Sequence, residues 1–291
     1  MDNIEIEKYL KAGEIAADAI EFGKSLISDG VPLEEVAEKI ESHIIKNGAK
    51  LAFPVNLSIN DEAAHYTPSR NDKRKFMKND IVKLDLGTHI DGYIADTAIT
   101  IEVGKENLSN LSRASEKALN NVIQKIRPGL RISEIGRIIE ETIKSMGFNP
   151  IYNLSGHQLS KNILHAGMSI PNYDDGSILE IEVGMAFAIE PFATNGVGYV
   201  RNGSFGNIFQ LVRETDELGE IYENYGKLPF SSRWIYRDFN NPEKIMDLIL
   251  KSNSVYKYPI LKERRKGLIS QFEHTFVLTE DRIYITTLRK I

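Results

Sequence analysis

The chain has 291 residues, 42% of them hydrophobic, and a net charge of −5. That length fits one large domain, or one domain with an insert, and can bury a core without covalent staples. The absence of cysteine excludes disulfides, thiolate zinc sites and a cysteine nucleophile, and the acidic balance gives no general support to nucleic-acid binding.

The opening residues, Met1 to Leu10, are acidic and amphipathic and lack the basic-then-apolar order of a signal peptide. No run approaches the ~18 apolar residues of a membrane span, so a soluble cytoplasmic protein is expected. Ile6, Leu10, Ile15, Ala19, Phe22 and Leu26 recur at helical spacing and predict a helix from Ile4 to about Ser28, stopped by Gly30 and Pro32. A second helix is expected from Leu33 to Lys46, with Gly48 just past its end. Leu51 to Ser58 reads as a strand interrupted by Pro54, and Ile81 to Val103 as two strands about the turn Gly87 to Gly92. Leu108 to Ile126 is helical. Ser133 is the expected N-cap of an amphipathic helix with Ile135, Ile138, Ile139, Ile143 and Met146 as its buried stripe.

From Ile178 the pattern returns to strands, Ile178 to Glu182 and Met185 to Phe192. Beyond Gly198 long polar residues and aromatics increase, with helical stretches such as Pro242 to Lys251. Residues 201–266 therefore read as an inserted helical subdomain between two pieces of one catalytic domain, 1–200 and 267–291. Within the insert, Lys262 to Lys266 is locally basic and reads as a solvated face. Strands are expected again over Ile269 to Leu278 and Arg282 to Leu288. A faint internal repeat, Asn79 to Asp85 against Gly184 to Glu190, places a carboxylate at the end of an apolar strand in both halves.

Asp85, Glu190 and Glu273 each sit in an apolar strand run, and Asp96 follows Asp85 by eleven positions across the predicted hairpin. Taken singly, each acid fits a solvent-facing position on a half-exposed strand, or a hairpin salt bridge. Taken together, they suggest convergence, because buried charge is costly unless paired or bound to metal. Four carboxylates would be balanced by two divalent cations, a common hydrolytic arrangement. With His157 as a candidate imidazole, the donor set suits Mn, Fe, Co or Zn. His65 and His165 are candidates for acid–base or oxyanion roles.

These residues lie in segments that resemble type 2 methionine aminopeptidases of the compact kind. The segments are Ala52 to Asn60 running into Ala63-Ala64-His65-Tyr66-Thr67-Pro68, Lys83 to Gly87 through Asp91 to Thr97, Gly156-His157 with Leu164-His165-Ala166-Gly167, Ala188 to Phe192, and Gln271-Phe272-Glu273-His274-Thr275. The resemblance implies an α/β (α+β) pita-bread fold, a pseudo-two-fold, curved, mostly antiparallel sheet covered by helices. It implies two divalent cations held by Asp85, Asp96, His157, Glu190 and Glu273, with Asp96 and Glu273 bridging. It further implies His65 and His165 at the substrate, Glu190 as general base, Phe53 and Leu164 in a methionine pocket and Tyr258 at its mouth. The expected substrates are N-termini of nascent polypeptides with a small second residue. The expected enzyme is a monomer with transient ribosome association, without a membrane or specific nucleic-acid partner. Two alternatives remain open: a prolidase or Xaa-Pro aminopeptidase of the same fold, and an inert relative that binds RNA or ribosomes.

Overall fold

A computed structural model describes residues 1–288. Two long helices, α1 (Asn3–Leu26) and α2 (Leu33–Lys46), open the chain. Asp2 caps α1, its carboxylate accepting from the Glu5 amide at 2.8 Å while Glu5 accepts from the Asp2 amide at 2.9 Å. Of the spaced apolar residues, Ile15 and Ala19 are buried and Phe22 and Leu26 pack on the core, but much of the buried face of α1 is small. Small residues, Ala12, Gly13, Ala16, Ala19 and Gly23, are buried, while Ile4 is exposed and Leu10 only partly covered. The helix thus approaches the sheet closely. Thr88 Oγ1 donates to the Ala12 carbonyl at 2.8 Å, and a Cβ on Gly13 would lie 2.2 Å from the Thr286 carbonyl oxygen.

The helices pack on strands β1 (Lys50–Ile59), β3 (Ile81–Ile90) and β4 (Tyr93–Glu102), which form one antiparallel sheet in the order β1-β3-β4, with the short strand β2 (Glu62–Ala64) between β1 and β3 in sequence. Pro54 does not end β1; the ladder is irregular between Leu51 and Asn56 and resumes, as expected where a residue lacks the N–H donor. The β3–β4 turn is tighter than expected. Strand pairing persists to Ile90 opposite Tyr93, so the turn is only Asp91-Gly92, both with positive φ.

A second helix pair, α3 (Asn110–Ile123) and α4 (Ile132–Ser145), begins the other half. Arg131, not Ser133, occupies the N-cap of α4, and the Ser133 hydroxyl donates to the Ser177 carbonyl at 2.7 Å. Ile135, Ile139 and Ile143 are buried, whereas Ile138 and Met146 are only partly covered. Strands β5 (Asn149–Pro150), β6 (Ser155–Leu159), β7 (Ser169–Pro171), β8 (Ala186–Ile189) and β9 (Phe192–Thr194) follow. The strand expected over Ile178–Glu182 does not form. The segment instead pairs briefly with residues 129–132, through a bridge from Glu180 to Arg131 and backbone bonds of Leu179 and Ile181, and Ile178 is 78% exposed.

The stretch expected as a helical insert holds long strands as well as helices. Strand β10 (Val200–Leu211) leads to α5 (Gly219–Tyr225), β11 (Phe230–Ser231), α6 (Ser232–Asp238) and α7 (Pro242–Lys251), and β12 (Val255–Glu263) returns antiparallel to β10. Phe209, Phe230, Trp234, Ile235 and Ile249 form its own buried cluster. The chain closes with β13 (Ile269–Gln271), β14 (His274–Leu278) and β15 (Ile283–Ile285). Strands β15-β14-β8-β6-β7 make a five-stranded antiparallel sheet, and β13-β9-β5 a three-stranded one. Phe187 and Phe276 stack between β8 and β14, ring centroids 5.7 Å apart. Burying each contributes roughly 1.5–3 kcal/mol.

The two halves repeat a plan: a helix pair followed by an antiparallel sheet. The faint sequence repeat lies at equivalent places, with Asn79 (φ 73) and Gly184 (φ 90) both in left-handed turns that launch β3 and β8.

Candidate metal centre and substrate pocket

Register explains how the carboxylates meet. In the β3–β4 hairpin, Gly87 lies opposite Asp96 and Asp85 opposite Ala98. Side chains alternate along a strand, so Asp85 and Asp96 share a face. Gly87 leaves space beside Asp96 that Phe53 fills, its ring carbon 2.3 Å from where a Cβ would stand. On the other side, His157 pairs with Ala188, placing His157 on the same face as Glu190 two residues on.

Glu190 and Glu273 occupy a shared break. Strand pairing runs Ile189 to His274 and then resumes at Phe192 to Gln271, leaving Glu190, Pro191, Phe272 and Glu273 outside the ladders. Pro191 cannot donate to a ladder, which fixes the break here. The chain bends between two sheets at this point and turns both carboxylates inward.

The halves are joined by threonines, which the sequence reading did not single out. Thr275 Oγ1 donates to the Asp96 carbonyl at 2.8 Å and accepts from the Asp96 amide at 2.7 Å. Thr97 Oγ1 donates to the Glu273 carbonyl at 2.9 Å, and Thr100 Oγ1 to that of Gln271 at 2.7 Å. The Glu273 amide donates to the Ala98 carbonyl at 2.9 Å. Asp96 and Glu273 are therefore held by the backbone bonds that close one half on the other.

All ten residues expected at the site line one cavity of about 490 Å³. Ligand atoms of Asp96, His157 and Glu273 lie within 4.8 Å of one another. His157 Nε2 is 3.5 Å from Asp96 Oδ2 and 3.8 Å from Glu190 Oε1. Asp96, His157 and Glu273 are buried; Asp85 and Glu190 are partly so. Burial pushes the Asp96 carboxyl up to about 8. Asp85, Glu190 and Glu273 are raised well above the carboxylate range by burial and then by mutual repulsion. Burial also lowers His157, His165 and His65 to about 4, so these imidazoles are neutral and free to coordinate or accept.

The donor set fits divalent cations. Asp85 Oδ1, Asp96 Oδ1 and His157 Nδ1 are buried without any hydrogen-bond partner, a costly state that a bound cation relieves for carboxylates grouped this closely. Among the described residues Glu190 accepts one hydrogen bond, from Gln271 Nε2 at 3.2 Å.

Beside this cluster the cavity is apolar, with Phe53 and Leu164 both buried in its wall. Ile208 and Pro229, from the β10–β11 region, complete the wall together with Asn56 and Ala64. Sequence reading assigned these four no role; nothing in their spacing marks them, because they are brought in by tertiary packing. His65 follows β2 in a left-handed conformation, φ 68. Its Nδ1 is 3.3 Å from the Pro259 carbonyl, and its ring meets Tyr258 edge-on at 5.0 Å. The His165 ring lies 4.4 Å from that of His157. Burial raises the Tyr258 hydroxyl above its usual range, and it donates to Gln210 Oε1 at 2.6 Å. His89 and His274 lie outside the cavity, as does His43, which pairs with Asp18 at 2.6 Å.

A buried carboxylate–imidazole cluster on a two-halved α/β frame defines a metallohydrolase class. Residues 7–280 match the sequence model of Peptidase_M24, metallopeptidase family M24, and the chain belongs to that family. Among its relatives, a methionine aminopeptidase of Methanocaldococcus jannaschii is 46% identical over 97% of this chain and 98% of its own length. One from Pyrococcus abyssi is 44% identical over 98% of this chain and all of its own length. In three dimensions the chain is similar to a thermophilic Arx1, with TM-score 0.85 at 17% identity, covering all of this chain and 92% of that one. It is also similar to a methionine aminopeptidase from Thermotoga maritima, with TM-score 0.73 at 24% identity, covering 99% and 98%. These structural likenesses establish the pita-bread fold. Among the described residues, no helix is long and apolar enough to cross a membrane.

Proposed function

We infer that this M24 chain is a methionine aminopeptidase that hydrolyses the Met–X bond at a free peptide N-terminus. The observation carrying this reading is the union of a buried, partner-poor carboxylate–histidine cluster with an adjoining apolar pocket walled by Phe53 and Leu164. Near-full-length relatives at 40–46% identity carry the same activity in their names.

Asp85, Asp96, His157, Glu190 and Glu273 would hold two divalent cations. Bound there, such a pair supplies Lewis acidity and a water of near-neutral pKa. The pocket takes the unbranched methionine side chain, which orients the scissile carbonyl toward the carboxylates. Glu190, with one oxygen oriented by Gln271, accepts the proton of the attacking water and passes it to the leaving amine. His165, neutral and beside His157, donates to the developing oxyanion. The His65 Nδ1 contact with Pro259 assigns the proton to Nδ1, leaving Nε2 to accept from a substrate amide N–H. The segment 201–266 supplies Ile208, Pro229 and Tyr258 to the substrate side.

On this reading the substrates are nascent chains with a small second residue, processed in the cytoplasm by a monomer in transient contact with the ribosome. Metal-loaded protein given Met-Ala-Ser and a panel of Xaa-Pro peptides tests it. Release of methionine with no Xaa-Pro cleavage is expected, and Asp96→Ala should abolish it. Preferential Xaa-Pro cleavage would replace this reading with the prolidase one.

A further inference from the structure

Outside the residues lining the cavity, Arg233 on α6 is 5% exposed and Glu41 on α2 is 2% exposed. They form a bidentate pair, Nη1 to Oε2 at 2.9 Å and Nη2 to Oε1 at 2.8 Å. The remaining donors of Arg233 go to the turn that follows His65: Nε to the Pro68 carbonyl at 2.8 Å and Nη2 to Thr67 Oγ1 at 3.1 Å. Glu41 also accepts from Trp234 Nε1 at 2.9 Å and, more weakly, from the Val55 amide at 3.3 Å on β1, two residues from Phe53. One buried pair therefore ties α2, the pocket strand, α6 and the His65 turn to one another.

That turn needs holding. His65 adopts φ 68, a conformation that costs a non-glycine residue about 1–2 kcal/mol and persists only where its surroundings impose it. Several bonds hold its first residues: the Tyr66 amide donates to Ser58 Oγ at 3.4 Å and the Tyr66 hydroxyl to Asp72 Oδ2 at 2.6 Å. The Leu57 amide donates to the Tyr66 carbonyl at 2.7 Å, and Asn207 Nδ2 to the Thr67 carbonyl at 3.3 Å. Arg233 supplies the two contacts beyond Tyr66 that have a rigid fork geometry, and a lysine cannot reproduce them.

We propose that Arg233, oriented by Glu41, is a positioning residue that fixes the backbone turn carrying His65, so that α6 sets the geometry of a substrate-contacting histidine. This rests on the reading of His65 as a substrate contact. Arg233→Ala would strand the Glu41 charge in the core and risks misfolding, so the informative variants are Arg233→Lys and Thr67→Val, the latter leaving the ion pair intact.

With Met-Ala-Ser and saturating Mn²⁺, Arg233→Lys should lower kcat by about tenfold or more, with KM and Mn²⁺ affinity changed by less than about threefold. In a His65→Ala background the same substitution should add less than about twofold, since the residue acts through His65. Independently of activity, amide hydrogen exchange over residues 57–68 should accelerate in both Arg233→Lys and Thr67→Val relative to the wild type. Full additivity with His65→Ala, or a kcat loss accompanied by an equal loss of Mn²⁺ affinity, would reduce Arg233 to general scaffolding. Unchanged exchange over 57–68 would overturn the proposal outright, even if the wild type cleaves no Met-Ala-Ser and the aminopeptidase reading itself fails.

Discussion

Thr275→Val probes the seam between the two halves. The substitution keeps shape but deletes the hydroxyl that serves both the amide and the carbonyl of Asp96, at 2.7 and 2.8 Å. Thr275 is fully buried and Asp96 3% exposed, so water cannot replace either bond. Leaving a buried polar group unpaired costs about 1–3 kcal/mol; two such groups on one residue, partly relaxed, place the loss at about 2–4 kcal/mol. For a chain of this size that is a fall of roughly 3–7 °C in Tm. Urea unfolding of chelator-stripped wild type and variant reads it without a contribution from bound ions. The same variant should bind Mn²⁺ more weakly, because Asp96 loses its fixed backbone. A stability change below about 0.5 kcal/mol would mean that the threonine bonds do not join the halves.

Gly87→Ala should raise KM for Met-Ala-Ser while sparing metal binding, because the new Cβ would stand 2.3 Å from the Phe53 ring and drive it into the pocket; unchanged KM would place methionine elsewhere. For the metal-free protein, pH dependence follows from the raised carboxylates. Asp96, at 3.8 unfolded and about 8 folded, stabilises most below pH 3.8 and loses that contribution as pH rises through 8, and Asp85, Glu190 and Glu273 act in the same sense. The buried histidines, lowered from 6.5 to about 4, contribute the opposite slope only below pH 6.5. Lys83, lowered to about 7, opposes above that as one group against four. Denaturation midpoints should therefore fall between pH 6.5 and 8 without metal; a rise there would contradict the burial of these acids. Adding Mn²⁺ at pH 7 should release protons and raise Tm, measurable by calorimetry in two buffers of different ionisation enthalpy.

Much of the frame was legible because its signals are local. The helix Leu33–Lys46 matched its periodicity and its terminal Gly48 residue for residue, and Pro242–Lys251 did likewise. The first helix was found from its spacing, but the alanines and glycines on its buried face gave no signal, since a hydropathy pattern does not mark the small residues that close packing on a sheet selects. Ile178–Glu182 has strand composition, but it pairs with the turn before α4 rather than with a sheet, and too briefly to extend into a strand. The long strands bounding residues 201–266 were hidden because Arg201 to Asn207 is polar and glycine-rich, with half-exposed faces. At the site, the acids stood out because each interrupts an apolar run. The threonines at the seam and the Glu41–Arg233 pair gave no such signal, since their partners lie more than 150 residues away in sequence.

Crystals of the protein grown with Mn²⁺ and measured at the manganese absorption edge bear most directly on the metal centre. Two anomalous peaks about 3–4 Å apart, between Asp96 and Glu273 and flanked by Asp85, His157 and Glu190, are expected. Peaks lying elsewhere, or none at saturating Mn²⁺, would remove the basis for assigning these five side chains to a hydrolytic centre.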